Sequence, residues 1–146
     1  MSDLLRIAAA DLAGAKYYAS HETDEVYLNL AGYHCAQAAE KILKAFIISK
    51  GVVPPKIHKT YELINFAKNR GMFENVLMPV EKIVVELDAW TSETRYVVNH
   101  LASKDRILFS IAVLEDLIEH LLPRETDSIA RLKAEVQQNP PGQSKN

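Results

Sequence analysis

Apolar residues recur along most of this chain at steps of three and four, the period of one helix face. No convincing run alternates at the step of two that marks a strand. The first stretch covers residues 3–20, where Leu4, Leu5, Ala8, Leu12, Ala15 and Tyr18 or Ala19 share a side and Ser2 or Asp3 stands ready to cap. The polar run Ser20-His21-Glu22-Thr23-Asp24 breaks the pattern, and Thr23 or Asp24 then caps a second helix expected from about Glu25 to Lys50. Inside it, Tyr33–Gly51 is the longest uninterrupted run of good helix formers. Small residues (Cys35, Ala36, Ala38, Ala39, Ala45) are interleaved with large ones (Ile42, Leu43, Phe46, Ile47, Ile48), which suits a central helix packed on more than one side. Leu30, Ala31, Cys35, Ala38, Ile42, Ala45, Phe46 and Ser49 are its expected buried positions. His34, Gln37, Lys41 and Lys44 form a polar stripe that faces either water or a cleft. Glu40 and Lys44 make an i,i+4 pair in the favourable order. Gly51 is the expected C-terminal cap, and Pro54-Pro55 forbids continuation.

A short helix is expected over Thr60–Asn69, burying Leu63, Ile64 and Ala67 and ending at Asn69-Arg70-Gly71. A long helical stretch follows, from about Phe73 to Val98, with Pro79 marking either a kink or the true first turn. Its apolar stripe is Val80, Ile83, Val84, Leu87, Trp90 and Thr91. Ser103 is the expected N-cap of a last core helix, Lys104–Leu122, which presents Ile107, Leu108, Ile111, Leu114, Ile118 and Leu121 and is stopped by Pro123. Ile129, Leu132 and Val136 allow a small amphipathic helix within 126–137, and residues 139–146 read as a disordered tail. The pattern predicts an all-α protein: an up-down antiparallel bundle of four main helices plus a short helical insert. The bundle occupies residues 1–123, and 124–146 form a C-terminal extension.

Composition narrows the function without naming it. The 146 residues suit one domain with a real core. A net charge of -2 excludes a broadly basic nucleic-acid coat, so any contact with RNA must be local. A single cysteine, Cys35, excludes an internal disulfide and a multi-cysteine zinc site, and its place in the central helix predicts a buried, inert thiol. No window has the apolar length of a membrane span, and the N-terminal stretch lacks a signal-peptide core, so a cytoplasmic location is expected. The chain holds no Gly-rich phosphate loop, no G-x-S-x-G, no Glu-x-x-His pairs for a di-iron bundle and no His-x-x-x-His, and no metal or cofactor is expected. One cluster of cation, imidazole and amide remains, within Glu93–Asp105: Arg95, Asn99 and His100, beside Tyr96. His58, Trp90, Tyr17 and Tyr18 read as structural or core residues, and Lys41 and Lys44 as a solvated face that would attract phosphate if it bordered a cleft.

Tyr33-His34-Cys35-Ala36-Gln37-Ala38-Ala39-Glu40-Lys41-Ile42-Leu43-Lys44-Ala45-Phe46, followed by Gly51, by His58 in HKTYELI and by Thr94-Arg95-Tyr96, resembles the HEPN (higher eukaryotes and prokaryotes nucleotide-binding) domain over residues 4–122. The resemblance implies a helical bundle that pairs as a homodimer. It also implies, through the Arg-x(4–6)-His spacing matched by Arg95-Tyr96-Val97-Val98-Asn99-His100, a metal-independent ribonuclease or toxin-like component. Residues five apart on a regular helix diverge by about 140°. Arg95 and His100 would therefore converge only if the helix loosens near Asn99–Ser103, or if each pairs across a two-fold axis. Arg95, Asn99, Lys41 and Lys44 are the expected phosphate- or nucleotide-binding groups. The Arg95-Tyr96 dipeptide resembles another branch of the family. That branch implies a non-catalytic module that binds a nucleotide or docks a nucleotidyltransferase encoded on a separate chain.

Overall fold

The computed structural model describes residues 3–20, 24–90 and 103–138, the stretch 124–138 by its backbone alone. Helices are the only regular structure among these residues, in the order α1 (Asp3–Ala19), α2 (Glu25–Ser49), α3 (Thr60–Asn69), a 3-10 turn (Asn75–Leu77), α4 (Met78–Glu81), α5 (Val84–Ala89) and α6 (Lys104–Gln138). The three long helices α1, α2 and α6 pack on one another, and the pieces from α3 to α5 close the remaining side of the core. No described helix is long and apolar enough to cross a membrane.

Local chemistry accounts for the ends of the elements. The Asp24 carboxylate accepts a hydrogen bond from the Val26 N–H at 2.9 Å, one of the donors a helix start leaves open, so Asp24 rather than Thr23 caps α2. At the other end Gly51 adopts φ 76°, its N–H donates to the Ile48 carbonyl, and the Val52 N–H reaches back to that of Ile47. This closing pattern needs the left-handed backbone that glycine adopts without strain. Gly71 ends α3 in the same way, at φ 66°, with Met72 reaching back to Ala67. Ser103 Oγ accepts from the Arg106 N–H at 3.3 Å and so caps α6.

The core runs through all three long helices. Leu5, Ala8, Leu12, Ala15 and Ala19 of α1 are buried against it, as are Ala31, Cys35, Ala38, Ile42 and Phe46 of α2. On α6 the buried face is Ile107, Ser110, Ile111, Leu114, Leu117, Ile118 and Leu121, while Leu108 is largely exposed. Ser49, expected inside, is also exposed, and its hydroxyl donates to the Phe46 carbonyl.

Two expectations are overturned. In place of a long helix starting near Phe73, the chain makes the 3-10 turn, then α4, a turn at Lys82-Ile83, and α5, which ends at Ala89. Leu77, Val80 and Ile83 are all buried and recur at a step of three, which is the 3-10 period and drifts off one face of a regular α-helix. Pro79 sits in the first turn of α4, where its missing N–H costs nothing. Pro123, in turn, does not end α6, which continues to Gln138. Proline removes one helical hydrogen bond, here to the Glu119 carbonyl. Glu119 and Pro123 are both exposed, so water can satisfy that carbonyl and the helix continues past the proline.

Candidate functional site

Arg95, Asn99 and His100 lie outside the described residues, as do Glu93 and Tyr96. The structure describes the two flanks of the segment that carries them, and the polar stripe on α2.

The upstream flank is α5, six residues long and too short to be stable by itself. It is held on three sides. Its core side is Leu87 with Trp90, which follows the helix and whose ring lies so close to Gly32 of α2 that a Cβ there would fall 2.8 Å from Trp90 Cγ. On one flank Arg106 of α6 donates from Nε and Nη2 to Glu86 Oε1, at 3.0 and 2.6 Å. On the other, the Asp88 carboxylate accepts the N–H groups of Thr60 (2.8 Å) and Tyr61 (3.1 Å), the open donors of the α3 N-terminus. The residue before α3 is Lys59, whose side chain cannot accept; a helix start without a local cap calls for a remote carboxylate, and that was the available signal for Asp88.

The polar stripe of α2 turns toward α1 rather than to open water. Asp11 of α1 takes His34 on one oxygen (Nδ1 to Oδ1, 3.1 Å) and Lys41 on the other (Nζ to Oδ2, 2.9 Å). These side chains are 27%, 20% and 16% exposed for His34, Lys41 and Asp11, so the pairing sits in a half-buried seam. A carboxylate only accepts, which places a proton on His34 Nδ1. The His34 ring lies over Gly14 and stacks on Tyr18, with centroids 5.5 Å apart and 12° between planes; Tyr18 stacks in turn on Tyr27 at 5.8 Å. Gln37 Oε1 lies 3.4 Å from Lys41 Nζ. One turn along α2, Glu40 repeats the arrangement with the expected Lys44 at 3.6 Å and with His58, from the loop before α3, at 3.1 Å. The ammonium groups of Lys41 and Lys44 are thus each matched by a carboxylate. Asp11 and His58 were not anticipated as partners of this stripe because both arrive from other elements.

Cys35 lies in the core beside this seam. Burial, and secondly the Asp11 charge, push its thiol up to about 12, so it stays protonated and unreactive at neutral pH. Among the described residues no group of three or more His, Cys, Asp or Glu side chains is placed to hold a metal ion.

A family model of the HEPN domain matches residues 1–126. No curated protein and no solved structure gives a significant match. The matched span runs from α1 through the capped start of α6 and includes both flanks described above, and with it the chain belongs to the HEPN domain family.

Proposed function

We propose that this HEPN protein is a metal-independent endoribonuclease, of the kind found as a toxin component, acting through Arg95 and His100. The observation that carries the reading is family membership combined with the Arg-x4-His spacing of Arg95-Tyr96-Val97-Val98-Asn99-His100. Two copies pairing about a two-fold axis would contribute two arginines and two histidines to one cleft. One imidazole takes the proton of the ribose 2′-OH as that oxygen attacks phosphorus. The second, protonated, gives its proton to the 5′-oxygen as the P–O5′ bond breaks. Arginine holds the phosphate and balances charge on the non-bridging oxygens. The products are a 2′,3′-cyclic phosphate and a free 5′-OH. Asn99, next to His100 in sequence, would supply an amide for the same phosphate, whereas Lys41 and Lys44, already matched by Asp11 and Glu40, act there only if those pairs open.

A broad panel of RNAs incubated with the purified chain in EDTA tests this. Cleavage is expected in the wild type and lost in Arg95→Ala and in His100→Ala, with circular dichroism showing both variants folded. Unchanged cleavage in the variants would assign the activity to a contaminant. The Arg95-Tyr96 dipeptide favours a second reading, a module that binds a nucleotide or docks a nucleotidyltransferase in trans. A wild type that cuts no RNA yet binds nucleotide through Arg95 would establish that reading instead.

A further inference from the structure

Glu86 and Asp88 stand two residues apart on α5 and reach to opposite sides, as the rotation of about 100° per residue requires. Leu87 points into the core between them, and Val85, on the far side, is 80% exposed. A six-residue helix is thereby fixed in three directions: to α6 through Arg106, to the α3 N-terminus through the backbone of Thr60 and Tyr61, and to α2 through Trp90 on Gly32. Stability is a poor reason for the Glu86–Arg106 part of this. Arg106 places two of its N–H donors on Glu86 Oε1, and Oε2 is sealed from solvent with no hydrogen-bond partner among the described residues. A carboxylate oxygen left so gives back much of what the ion pair gains.

What the contacts do supply is geometry. The chain enters the 91–102 segment straight from Trp90 and leaves it into Ser103 and the first turn of α6, and Glu86–Arg106 ties those two flanks to each other. We propose that Glu86 and Asp88 are positioning residues, fixing both ends of the segment that carries Arg95 and His100. Arg106, through its pair with Glu86, belongs to that clamp. The proposal rests on the ribonuclease reading for its kinetic consequence, because small misplacement of catalytic groups costs rate far more than it costs affinity.

The test compares Glu86→Gln and Asp88→Asn with Glu81→Gln. The control removes an ion pair to Lys68 (2.7 Å) that touches neither flank. At a temperature where all variants are folded, Glu86→Gln and Asp88→Asn are expected to lower kcat about ten- to hundred-fold with KM within about twofold, by the cost of misplacement. Glu81→Gln should keep kcat, and the exchanged pair Glu86→Arg with Arg106→Glu should recover part of the loss. Variants that lose thermal stability while kcat holds would overturn the positioning role, as would a change in KM alone. If the wild type cuts no RNA, the ribonuclease reading fails separately and the clamp is read by hydrogen exchange. Faster exchange across 91–102 in Glu86→Gln and Asp88→Asn than in Glu81→Gln upholds it, and equal rates overturn it.

Discussion

At Gly32 a methyl group has nowhere to go. A Cβ built there meets Cγ, Cβ and Cδ2 of Trp90 at 2.8, 3.1 and 3.1 Å, and Trp90 is fully buried. Gly14, on the helix facing it, meets nothing nearer than the His34 ring, at an ordinary 3.8 Å. Alanine in place of a mid-helix glycine is worth about 1 kcal/mol in helix propensity, while overpacking a filled core costs about 1–3 kcal/mol. Gly14→Ala is therefore expected to stabilise the protein by up to about 1 kcal/mol, and Gly32→Ala to destabilise it by about 1–2 kcal/mol net. Urea unfolding checks both, and the fluorescence of Trp90, the sole tryptophan, should shift only in Gly32→Ala. Nothing local distinguishes these glycines. The tryptophan that makes Gly32 indispensable lies far along the chain, and a helical period says which residues share a face without saying which distant ring covers them.

Among the elements, the start and stop of α2, the stop of α3 and the start of α6 follow from caps and glycines read one at a time. Where the chain departs from that reading, two rules compete. The apolar stripe from Val80 to Trp90 has a helical look, yet burying Leu77, Val80 and Ile83 together tightens the backbone and splits the stretch. Pro123 reads as a stop, yet an exposed proline removes only one bond from a helix already anchored by Leu114, Leu117 and Leu121. Restoring that bond with Pro123→Ala should slow amide exchange around residues 119–127 and stabilise α6 locally by up to about 3 kcal/mol, the cost of an interior proline. Unchanged exchange would mean that the turn opens as readily without the proline.

For the whole molecule, stability against alkali is set in part by Cys35. Its thiol titrates near 9.0 when unfolded and near 12 in the core. Between those values the unfolded chain has released a proton that the native chain keeps, so stability falls as pH rises from about 9 toward 12 and the contribution is fully present below that window. Thermal unfolding followed from pH 8 to 11 should show a steeper decline for the wild type than for Cys35→Ala, after each is referred to its own stability at pH 8. The inertness of this thiol was legible from its place among alanines in α2. The candidate site was legible differently: Arg95 and His100 stand out as residue types at a known spacing, whereas Glu86, Asp88 and Arg106 become visible only when the fold brings α3, α5 and α6 together.

The double grip of Asp11 on His34 and Lys41 also resists sliding of α1 along α2. Both helices bury alanines at a repeat of seven, Ala8 and Ala15 on α1 and Ala31, Ala38 and Ala45 on α2. A slip by one heptad would land Ala8 where Ala15 had been, so these alanines by themselves do little to hold the register. The carboxylate is not indifferent. His34 and Lys41 are themselves seven apart, and Asp11 sits between them. A heptad slip would bring Leu4 or Tyr18 opposite that pair and leave the half-buried Lys41 ammonium without its counter-charge. Asp11 thus helps to hold α1 in one register along α2.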